Sequence, residues 1–233
     1  MTGTSPRTTA RIAGVLYLMI IVAALFAQIG VRSSLIVAGD PAATGANILA
    51  AEGLYRLGVI ADLVTVACDV GVAALLYRLL KPAGASLSLT AGLLRVVAAS
   101  VTAAVAVLAF APIILLKGGA GEAFSVPQLQ ALAMMALRMR ETGYVISLLV
   151  FGLHCLMLGW LVWRSGILPR VIGAMLVVAG PCYLVSSGFS LIAPALAGPL
   201  YPVILLPPFV AEVTFTLWLI GVGVSPVRRP DGN

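Results

Sequence analysis

The feature that most constrains this chain is residues 54–82, an apolar run long enough to cross a bilayer that contains two carboxylates, Asp62 and Asp69. An ionised side chain in hydrocarbon is costly unless it has a partner. At 100° per residue Asp62, Thr65 and Asp69 share one face of a helix. The run therefore predicts a membrane-spanning helix whose polar stripe faces other helices.

Composition extends this prediction to the whole chain. Of its 233 residues, 61% are hydrophobic and only 9% are charged, whereas a soluble domain has about 25% charged residues. We therefore expect an all-α, polytopic membrane protein, a single transmembrane domain built as a six-helix transmembrane bundle with short outer interfacial helices. The predicted spans are about 12–30, 54–81, 87–116, 143–163, 171–193 and 203–224.

Two segments between spans carry helix-start signals but are too polar to cross a bilayer. Asp40 is the expected N-cap of a helix over residues 41–52, and Ser125 opens a capping box before an amphipathic stretch over residues 126–140. Both are predicted to lie at the outer interface. A break near Gly143 is expected to separate the second one from span four.

The distribution of basic residues predicts the orientation of the spans. Cytoplasmic loops carry an excess of lysine and arginine. Sorting by loop gives one side with Arg7, Arg11, Arg78, Lys81, Arg164, Arg170, Arg228 and Arg229, and the other with Arg32, Arg56, Lys117, Arg138 and Arg140. We expect a multi-pass protein of the cell (inner) membrane with both termini cytoplasmic. The alternative is a cleaved signal peptide at the amino end, which would leave five spans.

Four ionisable residues in four different spans form a candidate polar centre. Counted at 1.5 Å per residue from the inner ends of their spans, Asp69, Arg95, His154 and Glu212 lie about 12 to 18 Å into a core about 30 Å thick. The least costly arrangement turns them towards each other. Arg95 is expected to pair with Asp69, because a short turn joins their two spans.

A secondary set of polar residues is predicted nearer the outer surface. Asp62 lies farther along the same stripe, with Thr65 between it and the polar centre. Its expected partner is either Arg138 or Arg140.

Five segments of the chain resemble a bacterial family of integral membrane proteins known as domain of unknown function 4386. The segments are ARIAGVLYL (10–18), GDPAATGANILAAEGLYRLGVIADL (39–63), LLYRLLKP (75–82), FGLHCLMLGWLVWRSGILPRVIG (151–173) and LLPPFVAEVTFTLWL (205–219). The resemblance covers nearly the whole chain and implies a bacterial integral membrane protein. It brings no activity, cofactor or catalytic residue with it.

Several function classes are disfavoured by residue counts. The net charge of +6 comes from singly scattered basic residues, so no nucleic-acid partner is expected. One histidine is too few for bis-histidine haem or a multi-histidine zinc site, and we expect no cofactor and no metal. No serine lies in a G-x-S-x-G context.

Three hypotheses about function remain open. Ionisable groups lining a cavity would bind or pass a small solute or a proton. Alternatively, a buried ion-pair network fixes helix register in a protein that acts through partners, whose identity the sequence does not give. An intramembrane enzyme is the third and least favoured reading. A water-accessible cavity touching Asp69, His154 and Glu212 would favour the first hypothesis, and a dry, fully paired interior the second.

Overall fold

A computed structural model describes residues 5–118, 123–194 and 203–224, and within these ranges the chain is helical and has no strand. The main helices are α1 (Pro6–Leu25), α2 (Pro41–Ala50), α3 (Glu52–Leu80), α4 (Ala85–Leu116), α5 (Val126–Ser165), α6 (Arg170–Ile192) and α7 (Leu206–Gly221). A 3-10 turn, Lys81–Ala83, follows α3. Arg228 and Arg229, counted above among the cytoplasmic charges, lie outside the described residues.

Five helical stretches in the described part of the chain are long and apolar enough to cross a membrane. They are Pro6–Leu35, Glu52–Ala83, Ala85–Leu116, Val126–Ser165 and Arg170–Ile192. Large apolar side chains such as Ile29, Val107 and Trp160 are exposed along them, whereas Arg95 and Glu212 are buried. A water-soluble protein shows the reverse distribution. The chain is therefore an all-α, multi-pass integral membrane protein.

The predicted break near Gly143 is wrong. Residues 126–140 and span four belong to one continuous helix of 40 residues, α5, so residues 126–140 are not a separate short helix. A Cβ atom at position 143 would overlap the Val105 side chain of α4. Gly143 is thus a packing residue that lets two helices approach closely, and helices tolerate glycine for this purpose.

The first helix is longer than predicted. It continues beyond residue 30 as a π-helical segment, Phe26–Arg32, and a final turn, Ser33–Leu35. The wider π turn is closed by the Ser33 N–H group, which donates to the Gln28 carbonyl. Arg32, expected in a loop, therefore lies on a helix.

The helix predicted over residues 41–52 is present as α2, Pro41–Ala50. Its N-cap is Asp40, whose Oδ1 accepts from the Ala43 N–H at 2.9 Å. Pro41 occupies the first turn, where its missing N–H is not needed. The position of α2 at a membrane interface stays a prediction.

By their internal contacts the helices divide into two compact units. The first unit is drawn from residues up to Leu18, from Cys68–Ala98 and from Ile146 onwards. In it α5 and α6 touch backbone to backbone, since a Cβ on Gly159 would lie 2.7 Å from the Gly173 carbonyl oxygen. Small residues at such crossings allow close helix packing in membranes.

The second unit consists of Met19–Ala67 and Ala99–Val145. Its buried apolar core is formed by Val31, Leu35, Ile48, Tyr55, Val59, Ala109, Ile113 and Leu137. Within this core the Tyr55 hydroxyl donates to the Ala109 carbonyl at 2.7 Å. The hydrogen bond satisfies a phenol that would otherwise be costly to bury.

Candidate functional site

Arg95 is the largest side chain fully buried in the described residues, with an exposed fraction of 1%. It projects from α4 towards Asp69 of α3. Its Nε donates to Asp69 Oδ1 at 2.9 Å, and its Nη2 lies 2.6 Å from the same oxygen. The second contact has ion-pair distance without hydrogen-bond alignment. Asp69 thus provides the negative charge that a buried guanidinium needs.

The Arg95 guanidinium lies over two aromatic rings. Its Cζ lies 4.3 Å from the ring centroid of Tyr17 and 5.2 Å from that of Phe151. Rings at these distances attract a planar cation through their negative faces. The first unit therefore holds Arg95 by one ion pair and two cation–π contacts.

His154 completes the surroundings of Arg95. Its Nε2 lies 3.3 Å from Arg95 Nη1, and its Nδ1 lies 2.8 Å from the Ala91 carbonyl oxygen. A guanidinium can only donate, so Nε2 must accept and Nδ1 must carry the proton that is donated to the carbonyl. Both ring nitrogens are then occupied, which leaves neither free to bind a metal. No group of three or more potential metal ligands occurs among the described residues.

Glu212 on α7 is held differently. Its Oε2 accepts from the Tyr17 hydroxyl at 2.9 Å, and its Oε1 accepts from the Tyr183 hydroxyl at 2.5 Å. Within the described ranges no arginine, lysine or histidine nitrogen lies within 4.0 Å of it. Glu212 also lies beyond the first turn of α7, so the helix dipole does not stabilise its charge.

Tyr17 links the two parts of the polar centre, because its ring covers Arg95 and its hydroxyl binds Glu212. The ring of Phe215, one turn after Glu212, packs edge-on against the Tyr17 ring, with 6.0 Å between the two ring centroids. The Phe151 ring packs edge-on against the Tyr183 ring, with 5.5 Å between the two ring centroids. The aromatic contacts fix both hydroxyls on the carboxylate. We define the polar centre as Tyr17, Asp69, Arg95, Phe151, His154, Tyr183 and Glu212.

The polar centre carries one permanent cation and two carboxyl groups. Asp69 is matched by Arg95, and Glu212 has only hydroxyl donors. One turn beyond Glu212, the buried hydroxyl of Thr216 has no hydrogen-bond partner in the described part of the chain. If both carboxyl groups are ionised, the centre therefore has one negative charge, on Glu212, that no cation of the centre balances. It also has one buried hydroxyl, that of Thr216, without a hydrogen-bond partner among the described residues.

A small cavity of about 10 Å³ adjoins His154, with Ser88 and Tyr77 also in its wall. This volume holds one water molecule. Neither Asp69 nor Glu212 lines it. Of Asp69, His154 and Glu212 this cavity touches only His154, so it does not by itself favour a binding or permeation role, and it has no room for a solute larger than water.

The secondary residues belong to the second unit. Asp62 accepts hydrogen bonds from Arg140, one of its two expected partners, and from Arg32. Arg138 is exposed instead. Thr65 donates to the Ala61 carbonyl of its own helix, and not to Asp62 or to the polar centre.

The structure thus brings Asp69, Arg95 and His154 into contact and connects Glu212 to them through Tyr17. The sequence interpretation missed the two tyrosines and Phe151. A signal was present, since tyrosine in membrane proteins concentrates at the interfaces, and Tyr17 and Tyr183 each lie well inside an apolar run. A phenol there needs a hydrogen-bond partner.

Comparison with known proteins supports the resemblance seen in the sequence. The chain is 28% identical over 153 residues to an uncharacterized protein of Archaeoglobus fulgidus, an alignment covering 65% of this chain and 75% of that protein. No solved structure matches the chain. The family model described as Domain of unknown function (DUF4386) matches residues 12–223. The chain therefore belongs to the DUF4386 family.

Proposed function

We propose that the polar centre binds a proton at Glu212 and that the protein acts in proton binding or permeation across the membrane. One observation carries this proposal. Glu212 is a buried carboxyl group held by two tyrosine hydroxyls, while the cation nearest in the centre, Arg95, is already paired with Asp69.

The hydroxyl partners suit a group that changes its protonation state. A carboxylate without a counter-ion is costly inside a membrane protein, and uptake of a proton removes the charge. A tyrosine hydroxyl can donate to the carboxylate, and it can rotate to accept from the protonated acid. Tyr17 and Tyr183 can therefore hold Glu212 in both states without a change of packing.

A proton fits the space better than a small solute does. The cavity beside His154 holds one water molecule. Hydrogen bonds join Glu212 directly to Tyr17 and to Tyr183. A proton moves through hydrogen bonds and single waters, so it needs no larger space. The expected ligand is accordingly a proton, with the lipid bilayer as the surrounding partner.

A second candidate is a structural role in a protein that acts through other proteins. It is favoured by the surroundings of Arg95, which has a carboxylate, an imidazole and two aromatic rings around it. Such a network fixes the register of several helices. It does not require Glu212 to exchange a proton.

Proton flux into vesicles distinguishes the two candidates. The purified protein is reconstituted into liposomes containing a pH-sensitive dye, and a potassium gradient with valinomycin drives proton entry. We expect wild-type flux above that of protein-free vesicles, and Glu212→Gln should reduce it to that background. Glu141→Gln, the same change at an exposed position, is the matched control and should keep wild-type flux. Equal flux in wild type and Glu212→Gln would favour the structural role.

We also propose that both termini lie in the cytoplasm. Helix α7 is then the sixth span of a single transmembrane domain in the inner membrane. At 1.5 Å per residue the 16 residues of α7 cover about 24 Å, somewhat less than a hydrocarbon core of about 30 Å. Support comes from its apolar composition and its packing along α6. Bilayers accommodate short spans by local thinning.

Cysteine labelling tests this orientation. With Cys68, Cys155 and Cys182 replaced by alanine, a single cysteine at Ser33 or at Gly84 is exposed to an impermeant thiol reagent outside whole cells. Position 84 accepts a side chain, since its Cβ would meet nothing closer than 3.6 Å. We expect labelling at 33 and none at 84 until the cells are opened. Labelling at position 84 and not at position 33 would show that the protein has the opposite orientation.

A further inference from the structure

We infer that Arg32 and Arg140 of the second unit form a binding site for one negatively charged group, either a small free anion or the phosphate of an anionic lipid. The site is distinct from the polar centre and does not depend on the proposed proton function. We call Arg32, Asp62 and Arg140 the arginine cluster.

The arginine cluster carries two cations against a single carboxylate. Asp62 Oδ2 accepts from Arg32 Nη1 and from Arg140 Nη2, each at 2.9 Å, and Asp62 Oδ1 accepts from Arg32 Nη2 at 3.2 Å. All three side chains are largely buried, with exposed fractions of 12% for Arg32, 8% for Asp62 and 6% for Arg140. The cluster therefore has one positive charge that its own carboxylate does not neutralise.

No other acidic residue in the described part of the second unit supplies the missing charge. Asp40 caps α2, and Glu52 pairs with Arg56 and Lys117. Glu141, the next acidic residue along α5, is exposed. A buried cation that no acidic group among the described residues balances calls for a further anion.

Donors for such an anion are available. Arg32 uses both Nη groups on Asp62 and its Nε on Gln28. Arg140, in contrast, donates to a side chain of the described residues only through Nη2, although a guanidinium has five N–H donors. Arg140 is therefore the residue of the cluster with N–H groups that can donate to an anion.

A cavity of about 10 Å³ lies against both arginines, and Tyr55 and Gly58 also line it. The Tyr55 hydroxyl is already committed to the Ala109 carbonyl. The volume accepts one water-sized group, which matches a chloride ion or a single phosphate oxygen. Guanidinium groups favour both, and phosphate oxygens in particular.

The test measures unfolding temperature, because a ligand that binds only the folded state raises it in proportion to the logarithm of its concentration. Full-length protein in neutral detergent is titrated with sodium chloride at an ionic strength held fixed with sodium gluconate, so that only the identity of the anion changes. A second series adds phosphatidylglycerol or zwitterionic phosphatidylcholine to the micelles. Stabilisation by chloride identifies a free anion, and stabilisation by phosphatidylglycerol alone identifies a lipid phosphate.

Variants tie the effect to the cluster. Arg140→Gln leaves a neutral Arg32–Asp62 pair. The ligand concentration that gives the same rise in unfolding temperature should then increase at least about tenfold, as expected for the loss of one charge-assisted hydrogen bond. Arg138→Gln removes the same charge from an exposed position and should respond like wild type. Asp62→Asn leaves both cations unpaired and should increase the response.

The inference is overturned if wild type responds to neither chloride nor phosphatidylglycerol. It is also overturned if Arg140→Gln keeps the full wild-type response. Should Arg140→Gln fail to fold, Asp62→Asn decides, since a response no stronger than that of wild type contradicts the cluster as the site. Flux measurements on Glu212 are unaffected by any of these outcomes.

Discussion

Arg95→Leu is expected to destabilise the protein by about 3–5 kcal/mol, the range found when one member of a buried ion pair is removed. The change leaves Asp69 as an uncompensated charge and removes the donor to His154 Nε2. Unfolding by heat or denaturant in detergent measures the loss. Arg56→Leu is the control, because its ion pair with Glu52 is exposed and should be worth at most about 1 kcal/mol.

A second substitution shows whether the loss comes from the ion pair. Arg95→Leu combined with Asp69→Asn removes both charges and should recover much of the stability. Recovery should be incomplete, because His154 still lacks its donor and the rings of Tyr17 and Phe151 still lack their cation. Additive effects of the two substitutions would show that Asp69 is not the partner that stabilises Arg95.

Depth and chain proximity were enough to predict the pairing of Asp69 with Arg95 in the first unit. The turn between α3 and α4 is short, so Asp69 and Arg95 lie on neighbouring helices, and the structure pairs them. Their common depth also predicted the contact with His154. Whether this centre is functional stays a prediction, and the sequence interpretation could not say how each group is held. The role of Glu212 depends on Tyr17 and Tyr183, which come from helices far apart in the chain.

Helix boundaries were predictable where sequence signals are local and not where packing decides. Asp40 and Pro41 begin α2 as expected, because a cap acts within one turn. Gly143 was misread because glycine marks both helix breaks and close helix contacts, and only the position of Val105 distinguishes them. Arg32 was assigned to a loop because nothing local signals that α1 continues through a π turn.

The arginine cluster illustrates a further limit of sequence reasoning. Arg140 was one of two candidates for Asp62, two residues apart on the same stretch. An amphipathic pattern cannot choose between such neighbours when the helix phase is uncertain. Once α5 is continuous, its phase points Arg140 inwards and leaves Arg138 exposed.

Glu212→Gln is expected to remove an infrared band completely. If Glu212 takes up a proton, the wild-type protein has a protonated carboxyl group shielded from water, whose C=O stretching band is separate from those of carboxylates and amides. The band should grow as pH is lowered and shift on transfer to heavy water. Glu141→Gln should leave it unchanged, and so should Asp69→Asn, because Asp69 is matched by Arg95.

The pH-dependent infrared difference spectrum of wild type against Glu212→Gln therefore tests the central claim most directly. The account predicts a titrating protonated-carboxyl band in wild type and in Glu141→Gln that is absent from Glu212→Gln. Identical spectra for wild type and Glu212→Gln across the pH range would contradict it, and would leave Glu212 as a fixed member of a structural network.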